Sequence, residues 1–237
     1  MKTIILAGGL GTRISEETAE KPKPMVLLDD KPILWHVMSI YASQGFSDFL
    51  IAGGYKCEVI ENWIKGLNTD WKIEVRNTGE DNQTGSRIAQ CVNAYPSDSR
   101  FFVTYGDGLG NVNLHSLLKT HDRSKRLATV TAVRPPARFG VLESKDGCVI
   151  HFGEKNQADA GWINGGFFVI ERSIKWLDTD PSHTFETDVL PHLVNSRELT
   201  SYHHEGFWQP MDTLRERNQL REFAMQKQPP WLDISIF

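Results

Sequence analysis

The sequence predicts an α/β fold with a mixed, mostly parallel central sheet and a smaller, more antiparallel addition in the second half. Three observations carry this. Short apolar runs alternate with stretches of helical periodicity through the first half. Strand patterns dominate the second half, with fewer helices between them. The composition, 40% hydrophobic and 24% charged over 237 residues, is that of an ordinary globular chain. At ~150 residues per domain the length allows one large domain or two small ones. No repeat, low-complexity segment or Gly/Ser-rich linker divides the chain, so a single domain, 1–237, is expected, with halves at 1–125 and 126–237.

The first strand is expected at 3–7 (TIILA). That apolar run is too short for a secretory signal, which also needs a cleavage site; a buried strand fits it. Helical spacing follows at 32–44, where Ile33, Leu34, Val37, Met38, Ile40 and Tyr41 recur at three- and four-residue steps. Strands are expected at 48–53, 71–76 and 101–105, with helices at 56–65 and 85–94 between them. In the second half, strands are expected at 127–133, 139–143, 148–152, 163–171 and 199–204. Helices are expected near 185–195 and over 213–227, the latter rich in helix formers and stopped by Pro229 and Pro230.

Several function classes are disfavoured at this stage. A net charge of −4, from 26 basic and 30 acidic residues, argues against a nucleic-acid binder, which needs a surplus of Lys and Arg. No apolar stretch approaches the ~18 residues of a membrane span. The three cysteines, Cys57, Cys91 and Cys148, show no CxxC spacing, which argues for a reducing, cytoplasmic setting and against structural zinc.

The chemistry starts where the first strand ends, in Gly8-Gly9-Leu10-Gly11-Thr12-Arg13. Glycines let backbone N–H groups approach an anion without Cβ atoms in the way. Arg13 adds a guanidinium suited to phosphate. In an open parallel sheet, ligands bind beyond the carboxyl ends of the strands, and this loop leaves such an end. A tight turn with a surface arginine is the plain alternative. The segment is not a P-loop, because no Lys-Ser or Lys-Thr follows, and it lacks the third glycine of a dinucleotide fingerprint, Ile14 standing there instead. A nicotinamide-dependent oxidoreductase is disfavoured accordingly. Asp29 and Asp30, before Lys31-Pro32, read as a turn. In Lys21-Pro22-Lys23-Pro24, two prolines bias Lys23 to an extended shape that presents its ammonium at a set place.

The run LAGGLGTRISEETAEKPKPMV resembles the signature of sugar-phosphate nucleotidylyltransferases. KPILWHVMSIYASQGFSDFLIAGGYK, TYGDG (104–108), RFGVLE (138–143), INGGFFV (163–169) and GFWQPMDTLRER (206–217) resemble the glucose-1-phosphate cytidylyltransferase branch, in order along nearly the whole chain. The resemblance implies a Rossmann-like, GT-A-like nucleotidyltransferase core, with a nucleotide-binding half at 1–125 and a sugar-phosphate half at 126–237. It implies transfer of a nucleotidyl group from a nucleoside triphosphate, CTP in this branch, to a sugar 1-phosphate, α-D-glucose 1-phosphate in this branch. CDP-glucose and pyrophosphate would be the products, for deoxysugar, O-antigen or other surface polysaccharide synthesis, with Mg²⁺ as cofactor and a homo-oligomeric assembly.

Residue by residue, the resemblance gives Leu6, Ala7, Gly8, Gly9, Gly11, Thr12, Arg13, Lys23 and Gly106 to the nucleotide. Thr84, Gly85 and Arg87 join them from a segment where Ser86 replaces the family's glycine. Gly140, Glu154, Lys155, Asn164 and Gly165 go to the sugar phosphate, with Asn156 where the family reads proline. Asp107 and Asp212 go to the metal, and Arg13, Lys23 and Asp107 to catalysis. Near 66–71 the chain lacks a segment that this branch usually carries. Without the resemblance, Asp107 between two glycines reads as a turn residue and Asp212 as a helix N-cap.

The reaction explains the residue types. A phosphate monoester, with its second pKa near ~6, is already largely a dianion at neutral pH. In-line attack on the α-phosphorus therefore asks for charge neutralisation and alignment more than for a strong base. No Ser-His-Asp or Cys-His constellation is evident, and none is needed. His203 and His204, adjacent in a strand, point to opposite faces and so do not share a metal. One of Trp162 and Trp208, which flank motif residues, is a candidate for stacking on the sugar. A non-catalytic nucleotide-sugar binding module is the competing class, and a transferase with another triphosphate or acceptor is the nearest rival.

Overall fold

Thr3–Ala7 forms β1, the strand on which the fold is built. Its β-branched side chains suit a pleated strand. The period of two sends Ile4 and Ile5 into separate cores on opposite sheet faces. Both are fully buried, each burial worth roughly 1.5–3 kcal/mol. The strands that follow are Asp48–Gly53 (β2), Lys72–Asn77 (β3), Arg100–Tyr105 (β4), Gly108–Gly110 (β5) and Ala128–Val133 (β6). Gly140–Lys145 (β7), Cys148–Glu154 (β8), Ile163–Asn164 (β9), Phe168–Glu171 (β10), Leu199–His204 (β11) and Trp208–Pro210 (β12) complete them. The helices are Ser15–Thr18 (α1), Ile33–Ala42 (α2), Cys57–Lys65 (α3), Thr84–Ala94 (α4), Leu114–Ser124 (α5), Leu190–Asn195 (α6) and Leu214–Ala224 (α7). These elements come from a computed structural model that describes residues 1–135, 140–145, 148–154 and 161–233.

The main sheet runs β11-β6-β10-β4-β1-β2-β3, with β9 added against β6. From β4 to β3 all neighbours are parallel. β10 is antiparallel to both β4 and β6, and β11 returns to parallel pairing with β6. Both halves of the sequence thus share one mixed, mostly parallel sheet. Two antiparallel pairs lie outside it, β5 with β12 and β7 with β8. One sheet face is covered by α2, α3, α5, α7 and the buried Trp231; the other by α4 and α6 with the segment before it.

Local chemistry explains the boundaries. Asn113 caps α5 by accepting a hydrogen bond from the Ser116 N–H. Thr213 and Glu216 form a reciprocal capping box at α7. The strand expected over 163–171 breaks in two because Gly166 and Phe167 take φ of 75° and 47°, which no strand continues. The helix expected near 185–195 splits into a π-helical turn, Phe185–Val189, and α6. Pro191 has no N–H to close a bond to the carbonyl four residues earlier, which favours that break. Three features escape the sequence pattern altogether: the short α1, α5 and the β5–β12 pair. The chain passes from α3 to β3 through residues 66–71 alone.

Candidate active site

Three segments far apart in sequence meet at the carboxyl ends of β1 and β4. The first is the glycine turn after β1. Gly11 sits at φ 65°, in the left-handed region that favours glycine. At Gly8, a Cβ would fall 2.2 Å from the Arg87 guanidinium, so only glycine admits that approach. The Thr18 hydroxyl donates to the Gly11 carbonyl at 3.1 Å and folds the following turn back. Arg13 emerges from this turn with its side chain 69% exposed. Lys23 differs from expectation in its backbone. It opens a one-turn 3-10 helix, Lys23–Met25, because the Met25 and Val26 N–H groups find the Pro22 and Lys23 carbonyls. The rigid placement expected of it comes from this turn instead of an extended segment.

The second segment is the end of β4, Tyr105-Gly106-Asp107, and the third is Asp212, between β12 and α7. The buried Lys23 ammonium reaches Asp107 Oδ2 at 2.6 Å and Asp212 Oδ1 at 2.8 Å. Arg13 Nη1 reaches Asp212 Oδ2 at 2.8 Å. Burial works against the Lys23 charge, but the Asp107 and Asp212 carboxylates outweigh it and hold its pKa above the usual value. The ammonium therefore stays charged throughout the neutral range. Asp212 is not the N-cap that its position before Thr213 suggests. Thr213 caps α7, and the Asp212 N–H donates to Glu216 Oε2, leaving the carboxylate to the cations.

Two cavities join at Arg13, Tyr105 and Asp107. One, of about 320 Å³, is lined by Leu6, Ala7, Gly8, Gly9, Gly11, Thr12, Arg13, Lys23, Thr84, Arg87, Gly106 and Asp107, with Asn82 and Gln83. Every residue expected to meet the nucleotide is there except Gly85, which packs against His183 and Thr184. Ser86 is fully buried, and its hydroxyl donates to the Thr179 carbonyl, away from the cavity. The other cavity, of about 510 Å³, is lined by Arg13, Tyr105, Asp107, Asn164, Gly165, Trp208 and Asp212, among others. Gly140 pairs with Glu154 at the ends of β7 and β8. Lys155 and Asn156 lie outside the described residues.

Arg87 is placed at the wall of the first cavity, and its two terminal guanidinium nitrogens are engaged with protein oxygens. Nη1 donates to Gly53 O, Thr78 Oγ1 and Gly79 O, and Nη2 to Gly8 O and Glu80 O, all within 3.1 Å. It supports the glycine turn from beneath. Of the two candidate tryptophans, Trp208 lines the second cavity and donates its indole N–H to the Gly165 carbonyl. Trp162 stacks on His203 elsewhere, with Arg134 over its ring. His203 is exposed and His204 buried, on opposite faces as expected.

Sequence reasoning missed Tyr105 and Glu186. Glu186 Oε1 accepts from the Tyr105 hydroxyl at 2.6 Å, and Oε2 from the Thr84 hydroxyl at 2.5 Å. Burial, reinforced by the Glu186 charge, pushes the Tyr105 pKa up, so its hydroxyl remains a donor. Tyr105 could have been found two residues before Asp107 at the end of an apolar strand. Nothing local marks Glu186.

Magnesium binds through one or two carboxylates, completed by phosphates and water. Asp107 and Asp212 converge on one ammonium and already surround a cation, which is the arrangement such an ion requires. Among the described residues no group of three or more His, Cys, Asp or Glu is gathered for a metal. A two-carboxylate site that relies on substrate phosphates fits; an all-protein cage does not.

The fold and this junction of cations and carboxylates suit an enzyme that works on phosphate groups. Residues 2–234 match the family model described as nucleotidyl transferase, and the chain belongs to that family. It is 38% identical to the glucose-1-phosphate cytidylyltransferase of Salmonella typhimurium over 253 residues, covering 98% of each chain. It is also 38% identical to the probable glucose-1-phosphate cytidylyltransferase of Bacillus subtilis, covering 98% of this chain and 99% of that one. The 253-residue alignments exceed the length of this chain, so those relatives carry residues that it lacks. A putative glucose-1-phosphate thymidylyltransferase from Bacillus anthracis shares the fold, with a TM-score of 0.74 and 19% identity over 94% of this chain and 95% of that one. Among the described residues no helix is long and apolar enough to cross a membrane.

Proposed function

We propose that this nucleotidyltransferase joins CTP and α-D-glucose 1-phosphate to give CDP-glucose and pyrophosphate, with Mg²⁺ as its metal. The observation that carries the reaction type is the junction of the two cavities at Arg13, Lys23, Asp107 and Asp212. The choice of CTP and glucose 1-phosphate rests on the relatives that are 38% identical over nearly the full chain.

In this reading the glycine turn and Arg13 hold the triphosphate through backbone N–H groups and a guanidinium. Lys23 leaves its carboxylate partners to neutralise the phosphate under attack. Asp107 and Asp212 would hold the metal, which would supply positive charge to neutralise the reacting phosphates. Asn164 and Gly165, with Gly140, Glu154 and Lys155, receive the sugar phosphate. The attacking oxygen forms its bond to the α-phosphorus as the bond to the bridging oxygen of pyrophosphate breaks. The incoming phosphate is already deprotonated, so no side chain need remove a proton.

The enzyme is read as cytoplasmic, where its triphosphate is held, and as a homo-oligomer. Its product would serve deoxysugar or surface polysaccharide synthesis. The test is pyrophosphate release from CTP, UTP, dTTP, ATP and GTP, each paired with a panel of sugar 1-phosphates and Mg²⁺. CTP with glucose 1-phosphate is expected to be turned over fastest. A different preferred pair corrects the substrate assignment, and no turnover with any pair leaves only a binding module. Light scattering in solution reads the assembly.

A further inference from the structure

We propose that Glu186 is a positioning residue that couples the nucleotide cavity to the sugar-phosphate cavity through Tyr105. The proposal rests on the nucleotidyl-transfer reading above and adds to it the means by which one substrate prepares the site for the other.

Tyr105 lines both cavities, whereas Thr84 lines only the first and Asn164 only the second of the two. The half-buried Glu186 carboxylate joins all three. Its two oxygens accept from Thr84 Oγ1 at 2.5 Å and from the Tyr105 hydroxyl at 2.6 Å. Thr84 Oγ1 accepts in turn from the Phe185 N–H at 2.9 Å, so its proton is directed to Glu186. Since the Tyr105 hydroxyl gives its proton to Glu186, it faces Asn164 as an acceptor, and Asn164 Nδ2 donates to it at 3.1 Å. The Asn164 Oδ1 accepts from the Gly166 N–H at 2.9 Å. The amide orientation is thereby fixed. One Nδ2–H is engaged by Tyr105; the other meets no acceptor among the described residues and can donate to a hydroxyl or phosphate oxygen of a hexose 1-phosphate.

Only a carboxylate satisfies this chain. Thr84 and Tyr105 both present donors, and a carboxylate accepts at both ends, while a carboxamide would offer one acceptor and one donor. Glu186 lies in the π-helical turn Phe185–Val189, a departure from α-helix that often marks functional positions. Asp188 holds that turn by accepting from both the N–H and the hydroxyl of Thr184. A nucleotide that orders Thr84 therefore orders the donor offered to the sugar. By linkage the sugar phosphate must favour nucleotide binding by the same factor.

The test compares the full wild-type chain with Glu186→Gln, Tyr105→Phe and the double variant. Calorimetry measures binding of glucose 1-phosphate with and without a non-hydrolysable CTP analogue and Mg²⁺, and thermal unfolding is followed in parallel. The wild type should bind the sugar phosphate at least about fivefold tighter with the analogue present. Each single variant should lose that gain while keeping its Tm within a few degrees. The double variant should behave no worse than the poorer single, as coupled residues do. The proposal is overturned if Glu186→Gln keeps the gain, if the wild type shows none, or if the losses simply track a falling Tm. A wild type that releases pyrophosphate with no substrate pair would sink the functional reading itself. Turnover by the wild type with an unchanged Glu186→Gln would sink only the role of Glu186.

Discussion

Replacing Lys23 by methionine keeps the aliphatic stem and removes the one ammonium between Asp107 and Asp212. The Lys23 side chain is 9% exposed, and its partners are 28% and 19% exposed. A hydrogen bond to a charged group contributes roughly 1.5–3 kcal/mol when both partners are dry. These carboxylates keep some water and Asp212 keeps Arg13, so the two contacts together are worth about 2–3 kcal/mol rather than twice the single value. For a chain of this size that lowers Tm by about 4–12 °C. The variant leaves two carboxylates facing each other, so Mg²⁺ should raise its Tm more than it raises that of the wild type. Turnover should fall by about 10²–10³, the usual cost of removing one group that stabilises transition-state charge. Differential scanning fluorimetry and pyrophosphate release measure the two effects. A variant with kcat/KM within about threefold of wild type and an unchanged Tm would refute the reasoning, because Lys23 would then hold neither the site nor the reacting phosphate.

Other substitutions probe separate parts of the argument. Asp107→Asn should cost about 10²-fold or more in turnover at saturating substrates, with secondary structure retained by circular dichroism. Arg87→Lys cannot serve the five oxygens that the guanidinium holds; chemical denaturation should show a loss of at least about 2 kcal/mol, together with a raised KM for the triphosphate. Thr213→Ala removes the α7 cap and should cost about 1 kcal/mol, seen as a small fall in Tm. His36 is buried against Trp35 and Trp231, and among the described residues neither of its ring nitrogens has a hydrogen-bond partner. Burial pushes its pKa down to about 4. The unfolded chain takes up a proton near pH 6.5 and the folded chain does not, so stability falls as pH drops from about 6.5 to 4, by up to about 3 kcal/mol. His36→Phe should remove most of that slope in denaturation curves measured across the window.

Much of this site was legible in the sequence because its parts are local signals at strand ends. The glycine turn and TYGDG each follow a run of buried β-formers, and a parallel sheet brings such ends together. The first-half strands were placed within a residue or two for the same reason. What was not legible depends on long-range partners. The α7 cap fell to Thr213 rather than Asp212 because Glu216 reaches back to two N–H groups, a choice visible only once Asp212 is drawn toward Arg13 and Lys23. Arg87 read as a nucleotide contact, and only the packing of β2, Thr78 and the glycine turn around it shows that its terminal nitrogens also donate to protein oxygens. Glu186 lies in a stretch with ordinary helical spacing, and its partners are 81 and 102 positions away.

The separation of these partners also determines how the site responds to damage. Lys23 and Asp107 are 84 positions apart, and Lys23 and Asp212 are 189 apart. No local element can hold such a cluster; the sheet does so by setting β1 beside β4, and the β5–β12 pair does so by carrying Asp212 back past Asp107, whose carbonyl accepts from the Met211 N–H at 2.9 Å. Trp231, fully buried against Phe207 and His36, fastens the turn Pro230–Leu232 beneath that pair. A change that loosens the C-terminal turn should therefore reach the carboxylate junction before it reaches the sheet. The junction hangs on short strands and ion pairs, whereas β1, β2 and β4 share the two large apolar cores.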